Sequence, residues 1–293
     1  MKRIAPFHAL TLFFLCGMIL LTLFFRGRIP QWHGLIFRYL LWIGLLFVIK
    51  LSYDRGRMGR LKEFVHTFSS ILFIVLIYQS LGDLIHYLWP DIDPTLIRLD
   101  LFLFGVHPTL WMQQWIVPWL TDLLSLAYLS YYFLPLTLVL TLYRKDRPDL
   151  YPTLFVLTLG YYVSFIGYIL FPAVGPRYAM EQLYTVPLKG SFISDLVRDG
   201  LNSIEHNKRD CMPSGHTQVA LMVLYLAYRY EKILFYIFLP IVSGLLIATV
   251  YLRYHYVIDL LAGAALAIGC VIIGPRFYKC WEVEGRRQKA ENR

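Results

Sequence analysis

Residues 233–252 read ILFYIFLPIVSGLLIATVYL, a stretch without a single charged side chain. The hydrocarbon core of a bilayer, about 30 Å thick, is crossed by about 20 predominantly apolar residues in a helix. The stretch therefore predicts a membrane-spanning helix and decides how the rest of the chain is interpreted.

Comparable apolar stretches recur along all 293 residues, which are 58% hydrophobic and 16% charged. This balance excludes an ordinary soluble globular domain. We expect an all-α polytopic bundle that forms one membrane domain over 1–293, with a basic cytoplasmic tail at 276–293. The eight predicted spans are 8–25, 34–51, 64–88, 115–142, 151–171, 214–230, 233–252 and 255–274.

The basic residues set the expected orientation. With eight spans both termini share one side, and about 18 of the 28 Lys and Arg residues, Arg57 among them, fall in the loops of that side. About 8 fall in the opposite loops. The positive-inside rule then places both termini in the cytoplasm and explains the net charge of +9 without a nucleic-acid partner. The first stretch lacks a small-residue cleavage site and is expected to remain as the first helix.

Two outward segments are too long for simple turns. Residues 89–115 carry tryptophans at both ends and mix prolines with apolar residues, which is typical of a segment lying along the membrane interface. Residues 172–212 form a long polar loop. Because long loops without an apolar span are usually functional, we expect the chemistry beside this loop, on the extracytoplasmic face.

One motif next to that loop, Pro213-Ser-Gly-His216, has the composition of a helix start. Ser214 can cap free backbone amides, and Gly215 lets the backbone approach a ligand closely. A helix N-terminus binds phosphate through its free amides and dipole, and His216 adds a proton donor. The simpler alternative is a capped helix that carries an interfacial histidine.

A second motif, Arg253-Tyr-His-Tyr-Val-Ile-Asp259, lies between the last two predicted spans. On a helix, His255 and Asp259 would share one face within hydrogen-bonding reach. A carboxylate on one ring nitrogen fixes the tautomer and leaves the other nitrogen nucleophilic, as a phosphohistidine mechanism requires. Arg253 and Arg177, the latter in Gly-Pro-Arg177, are candidates to clamp phosphate oxygens. The alternative is a buried His–Asp pair that only joins helices.

These motifs resemble the type-2 phosphatidic-acid phosphatase superfamily. Its Pro-Ser-Gly-His motif matches residues 213–216, and its His-x-x-x-Asp motif before a glycine-bearing helix matches His255 and Asp259. The resemblance is best over 151–274. It implies that His255 is the nucleophile, that Asp259 orients it and that His216 protonates the leaving alcohol.

The chain departs from that family pattern at two basic positions. The family's Lys, separated from Arg-Pro by six residues, would fall at Leu140, and its arginine six residues before the nucleophile falls at Thr249. Arg177 and Arg253 are the basic residues offered instead. With the segments 100–105 and 128–132, this resembles the branch that contains inositol-phosphorylceramide synthases.

Several functions remain open. A phosphohistidine can be resolved by water, which makes a lipid-phosphate phosphatase, or by a second alcohol, which makes a phosphotransferase. Hydrolysis is preferred because water is the default acceptor. An intramembrane serine protease using Ser214 with His255 would leave His216 and Asp259 without a role. A transporter or scaffold with a vestigial site is the non-enzymatic alternative.

No cofactor or metal is expected, because arginines and a helix terminus can carry the phosphate charge. The four cysteines, Cys16, Cys211, Cys270 and Cys280, lack the spacing of a metal or disulfide motif, and Cys211 is interpreted as a passive neighbour of the site. The expected partners are the bilayer and a membrane lipid substrate. The sequence determines neither the lipid nor an oligomeric state.

Overall fold

A computed structural model describes residues 4–55, 59–204 and 206–291. Within this part every regular element is a helix, which confirms the all-α class. Arg57, in the predicted cytoplasmic loop, lies outside the described residues. The helices are α1 (Pro6–Phe24), α2 (Trp32–Arg55), α3 (Arg60–Leu81), α4 (Asp93–Phe104), α5 (Pro108–Trp111), α6 (Pro118–Leu129), α7 (Phe133–Arg144), α8 (Leu150–Leu170), α9 (Pro176–Ala179), α10 (Ile193–Ile204), α11 (Gly215–Tyr230), α12 (Lys232–Tyr251) and α13 (Val257–Glu291).

Seven helical segments in the described part are long and apolar enough to cross a membrane. The predicted span at 214–230 differs, because α11 has only 16 residues and a length of about 24 Å. Its first turn is buried and polar. This helix therefore starts inside the bundle. The seven segments are Pro6–Phe24, Trp32–Arg55, Arg60–Tyr87, Pro118–Arg144, Leu150–Leu170, Lys232–Tyr251 and Val257–Glu284.

The last helix is longer than its predicted span at 255–274. Helix α13 has 35 residues and continues through Pro275 into the basic tail. At 1.5 Å per residue it is about 50 Å long, more than a bilayer core requires. The tail residues up to Glu291 therefore extend this helix beyond the apolar region.

Helices α8 and α11 lie in the centre of the bundle. A cluster of buried apolar side chains from α7, α8, α11, α12 and α13 surrounds them, and a second cluster joins α1, α2 and α3 to α8. Helix α13 packs tightly on the start of α11 at Gly263, where a Cβ atom would collide with the carbonyl oxygen of Ser214. This close crossing fixes the position of the residues that precede both helices.

The same end of the bundle collects the three motifs identified in the sequence. The amide of Ser214 donates to the carbonyl of Asp259 at 3.1 Å, and the amide of Arg177 donates to the carbonyl of Arg253 at 2.8 Å. The end of α8, the start of α11 and the junction of α12 with α13 are thereby joined.

The two segments predicted to face outward contain more regular structure than the sequence indicated. Residues 89–115 form α4, α5 and a 3-10 turn at Met112–Trp115. The segment 172–212, expected as a loop, contains α9 and the twelve-residue helix α10. The carboxylate of Asp122 on α6 accepts the four amides of residues 191–194, which start α10, at 2.8–3.1 Å. Helix α10 is therefore anchored to α6.

Candidate active site

His255 lies in the short connection between α12 and α13. Its ring is buried, with Nδ1 3.0 Å from the carbonyl oxygen of Cys211 and Nε2 3.3 Å from Nδ1 of His216. A carbonyl oxygen can only accept a hydrogen bond, so Nδ1 carries the proton. The lone pair of His255 is therefore on Nε2, the atom that faces His216.

The predicted hydrogen bond between His255 and Asp259 is not formed. Oδ2 of Asp259 lies 3.6 Å from Nδ1 of His255, beyond hydrogen-bonding distance, and the carbonyl of Cys211 takes that place. The reason is local, because α13 begins at Val257 and His255 precedes it, so the helical i,i+4 spacing does not apply. Asp259 is fully buried and still places a negative charge beside the imidazole.

Asp259 is held by groups that the sequence did not indicate. Its Oδ2 atom accepts from the thiol of Cys211 at 2.8 Å and from the amide of Tyr256 at 2.9 Å, while Oδ1 has no protein partner. Burial, followed by the charge of Asp259, raises the pKa of the Cys211 thiol well above its ordinary value. The thiol therefore stays protonated and donates, so Cys211 orients both members of the pair.

Cys211, His255 and Asp259 also form a potential metal-binding group. Their ligand atoms lie within 4.8 Å of one another, and no other such group is found in the described residues. Thiolate, imidazole and carboxylate together are ligands of the type that zinc prefers. Metal binding there would require loss of the thiol proton and of the hydrogen bond between His255 and the Cys211 carbonyl.

His216 lies in the first turn of α11. Ser214 caps this helix, its Oγ atom accepting from the amide of Thr217 at 3.2 Å. The helix starts at Gly215, so Pro213 precedes the cap. The ring of His216 stacks on Tyr128 with centroids 4.5 Å apart, and its Nε2 atom is buried without a protein partner.

The loop that carries Arg177 is shaped by a buried carboxylate. Asp93 accepts from the amides of Val174 and Gly175 at 2.9 and 2.8 Å and from the hydroxyl of Tyr256 at 2.9 Å. Gly175 has φ +85°, and a side chain there would press on the carbonyl of Tyr254. The Arg177 side chain donates to the hydroxyl of Tyr254 at 3.2 Å. Arg177 is thus held beside the connection that bears His255.

Arg253 lies elsewhere. Its guanidinium donates to the carbonyl of Val186 at 2.6 Å and covers the ring of Tyr184 at 3.8 Å. It does not line the cavity that contains His255. Of the two predicted phosphate-clamping arginines, the structure therefore brings only Arg177 to the histidines, whereas Arg253 ties the segment 172–212 to the bundle.

A polar cavity of about 290 Å³ opens beside the two histidines. Seven of its ten lining residues were not predicted as site residues, and two of these seven are potential donors to phosphate. Asn207 is buried and its Nδ2 donor has no protein partner, and Lys208 is an exposed cation next to it. They lie six and five residues before Pro213 of the Pro-Ser-Gly-His motif, and this closeness in sequence is the signal that could identify them. The cavity is lined by Tyr128, Val174, Arg177, Tyr178, Asn207, Lys208, Asp210, His216, Tyr254 and His255.

A second cavity, of about 180 Å³, lies between α3, α7 and α8. Its walls are mainly aliphatic and aromatic, including Ile74, Leu136, Val139 and Phe165. Asp210 and His216 line both cavities, and among the described residues they are the two that do so. The apolar cavity therefore meets the polar cavity at these two side chains.

The two upstream segments of the resemblance, 100–105 and 128–132, both support the site. Asp100, buried on α4, accepts the amides of Val257 and Ile258 at 2.9 Å each and so caps α13. Tyr128 and Tyr131, from 128–132, both pack against the ring of His216. These contacts position the first turn of α13 and the imidazole of His216.

Comparison with known proteins agrees with this geometry. Residues 94–273 match the PAP2 superfamily, a match that starts well before the 151 expected from the motifs. A PA-phosphatase related-family protein of Dictyostelium discoideum is 30% identical in an alignment of 179 residues that covers 53% of this chain and 32% of the relative. The chain thus covers about a third of that protein's length. No solved structure matches. The chain belongs to the PAP2 superfamily.

Proposed function

We propose that this protein is a membrane lipid-phosphate phosphatase that works through a phosphohistidine on His255. The proposal rests on the pair of histidines where a polar and an apolar cavity meet. Nε2 of His255 lies 3.3 Å from Nδ1 of His216. The tautomer of His255 is fixed and leaves the lone pair of its Nε2 atom facing His216. His216 lines both cavities.

In the first step, Nε2 of His255 attacks phosphorus and the bond from phosphorus to the lipid oxygen breaks. The incoming phosphate favours the charged imidazolium form of His216, which gives its proton to the departing oxygen. The Nδ1–H group of His255 stays on the carbonyl of Cys211, and Asp259 stabilises the positive ring from 3.6 Å. The products are a phosphohistidine and a lipid alcohol.

In the second step, water attacks the phosphohistidine and His216 accepts one of its protons. The bond between phosphorus and Nε2 breaks, the electron pair returns to His255, and inorganic phosphate leaves. Arg177, Lys208 and the Nδ2 group of Asn207 line the same cavity and are the donors that would carry the phosphate charge. The reaction written in this way uses groups of the chain and one water molecule.

The lipid nature of the substrate rests on the apolar cavity. A phosphate held in the polar cavity leaves its ester oxygen near His216, and the attached chain can continue between α3, α7 and α8. Aliphatic and aromatic walls favour an alkyl chain over a sugar or nucleoside. The seven apolar segments give such a substrate direct access from the bilayer.

Transfer to an alcohol, as in inositol-phosphorylceramide synthases, is the second candidate. It is favoured by the same apolar cavity, because a passage that releases one lipid alcohol can admit another. A serine protease is disfavoured, since Ser214 is fully buried and its hydroxyl oxygen caps α11.

The orientation belongs to the same proposal. We place both termini in the cytoplasm and the two cavities on the extracytoplasmic face, on the distribution of basic residues.

The direct test incubates purified protein with a panel of labelled lipid phosphates, with and without alcohol acceptors. Release of inorganic phosphate from lipid monoesters without an acceptor is the expected result. Product formation that depends on an added alcohol would favour the transferase. Turnover of neither kind across the panel would overturn the proposal.

A further inference from the structure

Asp210 places a carboxyl group where the two cavities meet, and the steps above give it no role. It comes from the loop before α11 and lines both cavities together with His216. The same polar cavity is lined by Arg177 and Lys208, which suit an anion. Because a carboxylate repels phosphate, its presence there requires a chemical reason.

Tyr78 holds this carboxyl group in place. The hydroxyl of Tyr78, on α3, donates to Oδ2 of Asp210 at 2.6 Å, and Tyr78 itself lines the apolar cavity. Burial raises the pKa of Asp210, while the hydrogen bond from Tyr78 and the nearby His255 act in the opposite direction. A carboxylate has about four acceptor positions, so the hydrogen bonds from Tyr78 and from the Asp210 amide leave capacity for a ligand.

The second step of the reaction needs such an acceptor. The attacking oxygen must point a lone pair at phosphorus while its hydrogens are held by acceptors. Water has two hydrogens, one for His216 and one for a second acceptor, whereas an alcohol has only one. A second acceptor at the meeting point of the cavities therefore orients water better than it orients an alcohol.

We propose that Asp210, oriented by Tyr78, accepts a hydrogen bond from the water that hydrolyses the phosphohistidine and thereby favours hydrolysis over transfer. The inference rests on the proposed function. In the step, the water oxygen bonds to phosphorus, the bond to Nε2 breaks, and one proton moves to His216. The other hydrogen stays on the new phosphate oxygen and donates to Asp210.

The test measures how the phosphoenzyme divides between two acceptors. The purified full chain is given nitrophenyl phosphate with a fixed concentration of butanol, and nitrophenol, inorganic phosphate and butyl phosphate are measured. Asp210→Asn should keep the initial burst of nitrophenol, which reports the first step. Its ratio of butyl phosphate to inorganic phosphate should rise about tenfold, the size expected for one lost hydrogen bond to a charged group.

Two further variants sharpen the result. Tyr78→Phe removes only the hydrogen bond to Oδ2 and should shift the ratio in the same direction by a smaller factor. Asp199→Asn is the matched control, because Asp199 is a 73% exposed side chain on α10 that lines neither cavity. Its ratio should equal that of the wild type.

An unchanged ratio in Asp210→Asn with a normal burst would overturn the role of Asp210. Loss of the burst itself in this variant would also overturn it, since the first step would then depend on Asp210. If Asp210→Asn does not fold, an unchanged ratio in Tyr78→Phe decides against the proposal. Failure of the proposed function looks different, because the wild type itself would then show no burst of nitrophenol.

Discussion

At His255, Nδ1 lies 3.0 Å from the carbonyl oxygen of Cys211 and 3.6 Å from Oδ2 of Asp259. The backbone carbonyl fixes the tautomer, and the carboxylate supplies charge. In many His–Asp pairs the carboxylate performs both tasks, and replacing it disturbs the tautomer. The two tasks are separate here, which changes the expected effect of substituting Asp259.

Asp259→Asn should slow phosphoenzyme formation on the order of 100-fold, because a charge a few ångströms from the imidazolium is lost while the tautomer is kept. Rapid-quench measurement of the first step gives this rate. A loss as complete as that of His255→Ala would show that the carboxylate also sets the orientation of the ring.

Substitutions of the two arginines should have different effects. Arg177→Lys keeps the charge but loses the guanidinium fork, so kcat/KM for a lipid phosphate should fall about tenfold. Arg253→Lys should act on folding, by weakening the contacts to Val186 and Tyr184, and should lower the melting temperature more than the activity. Steady-state kinetics and thermal unfolding in detergent measure the two effects. A larger loss of activity in Arg253→Lys than in Arg177→Lys would indicate that Arg253, and not Arg177, contacts the phosphate.

At the scale of the helices, the crossing of α13 on α11 positions the residues of the candidate site. Gly263 lets the two helices approach until the carbonyl of Ser214 lies where a Cβ atom would be. The Ser214 cap, His216 and Asp259 all belong to the turns next to this crossing. A change at Gly263 should therefore reach the catalytic groups without touching them.

Gly263→Ala should destabilise the protein by roughly 1–3 kcal/mol, the cost of overpacking a close contact, and should reduce activity. Gly269→Ala is the matched control on the same helix, because a Cβ atom there meets nothing within 4 Å. Thermal unfolding and phosphate release are measured for both. Equal melting temperatures and equal phosphate release in the two variants would mean that α11 and α13 can move apart without affecting the site.

The sequence indicated the helices and the three motifs, because apolar runs and short polar signatures are local properties. It did not reveal that His255 precedes α13, since the break before Val257 depends on the cap from Asp100, 157 residues away. Helix α10, within the predicted loop 172–212, was missed for the same reason. Its first residues are held by Asp122 on α6, which is distant in sequence. The exclusion of Arg253 from the cavity follows from tertiary contacts alone.

At the scale of the whole molecule, the prediction concerns the orientation of the protein in the membrane. The distribution of basic residues predicts that the end bearing the cavities faces outward. Cysteines introduced at Lys189, in the outward loop, and at Lys62, at the start of α3, should react from opposite sides, with Lys189→Cys labelled by an impermeant reagent in intact cells. Both positions are exposed. Labelling of both from one side would contradict the arrangement.

The division of roles between the two histidines is tested by an activated substrate. Nitrophenyl phosphate has an acidic leaving group that needs little protonation. It should partly rescue His216→Ala and should not rescue His255→Ala. Equal rescue of both variants would contradict the assigned roles.

The central claim is the covalent intermediate, and trapping it is the most direct measurement. Protein quenched during turnover of a ³²P-labelled substrate should carry acid-labile, base-stable phosphate on His255. The label should be absent from His255→Ala and present in His216→Ala given nitrophenyl phosphate. Label on His216, or turnover by the wild type with no trapped phosphate under any quench, would contradict the account.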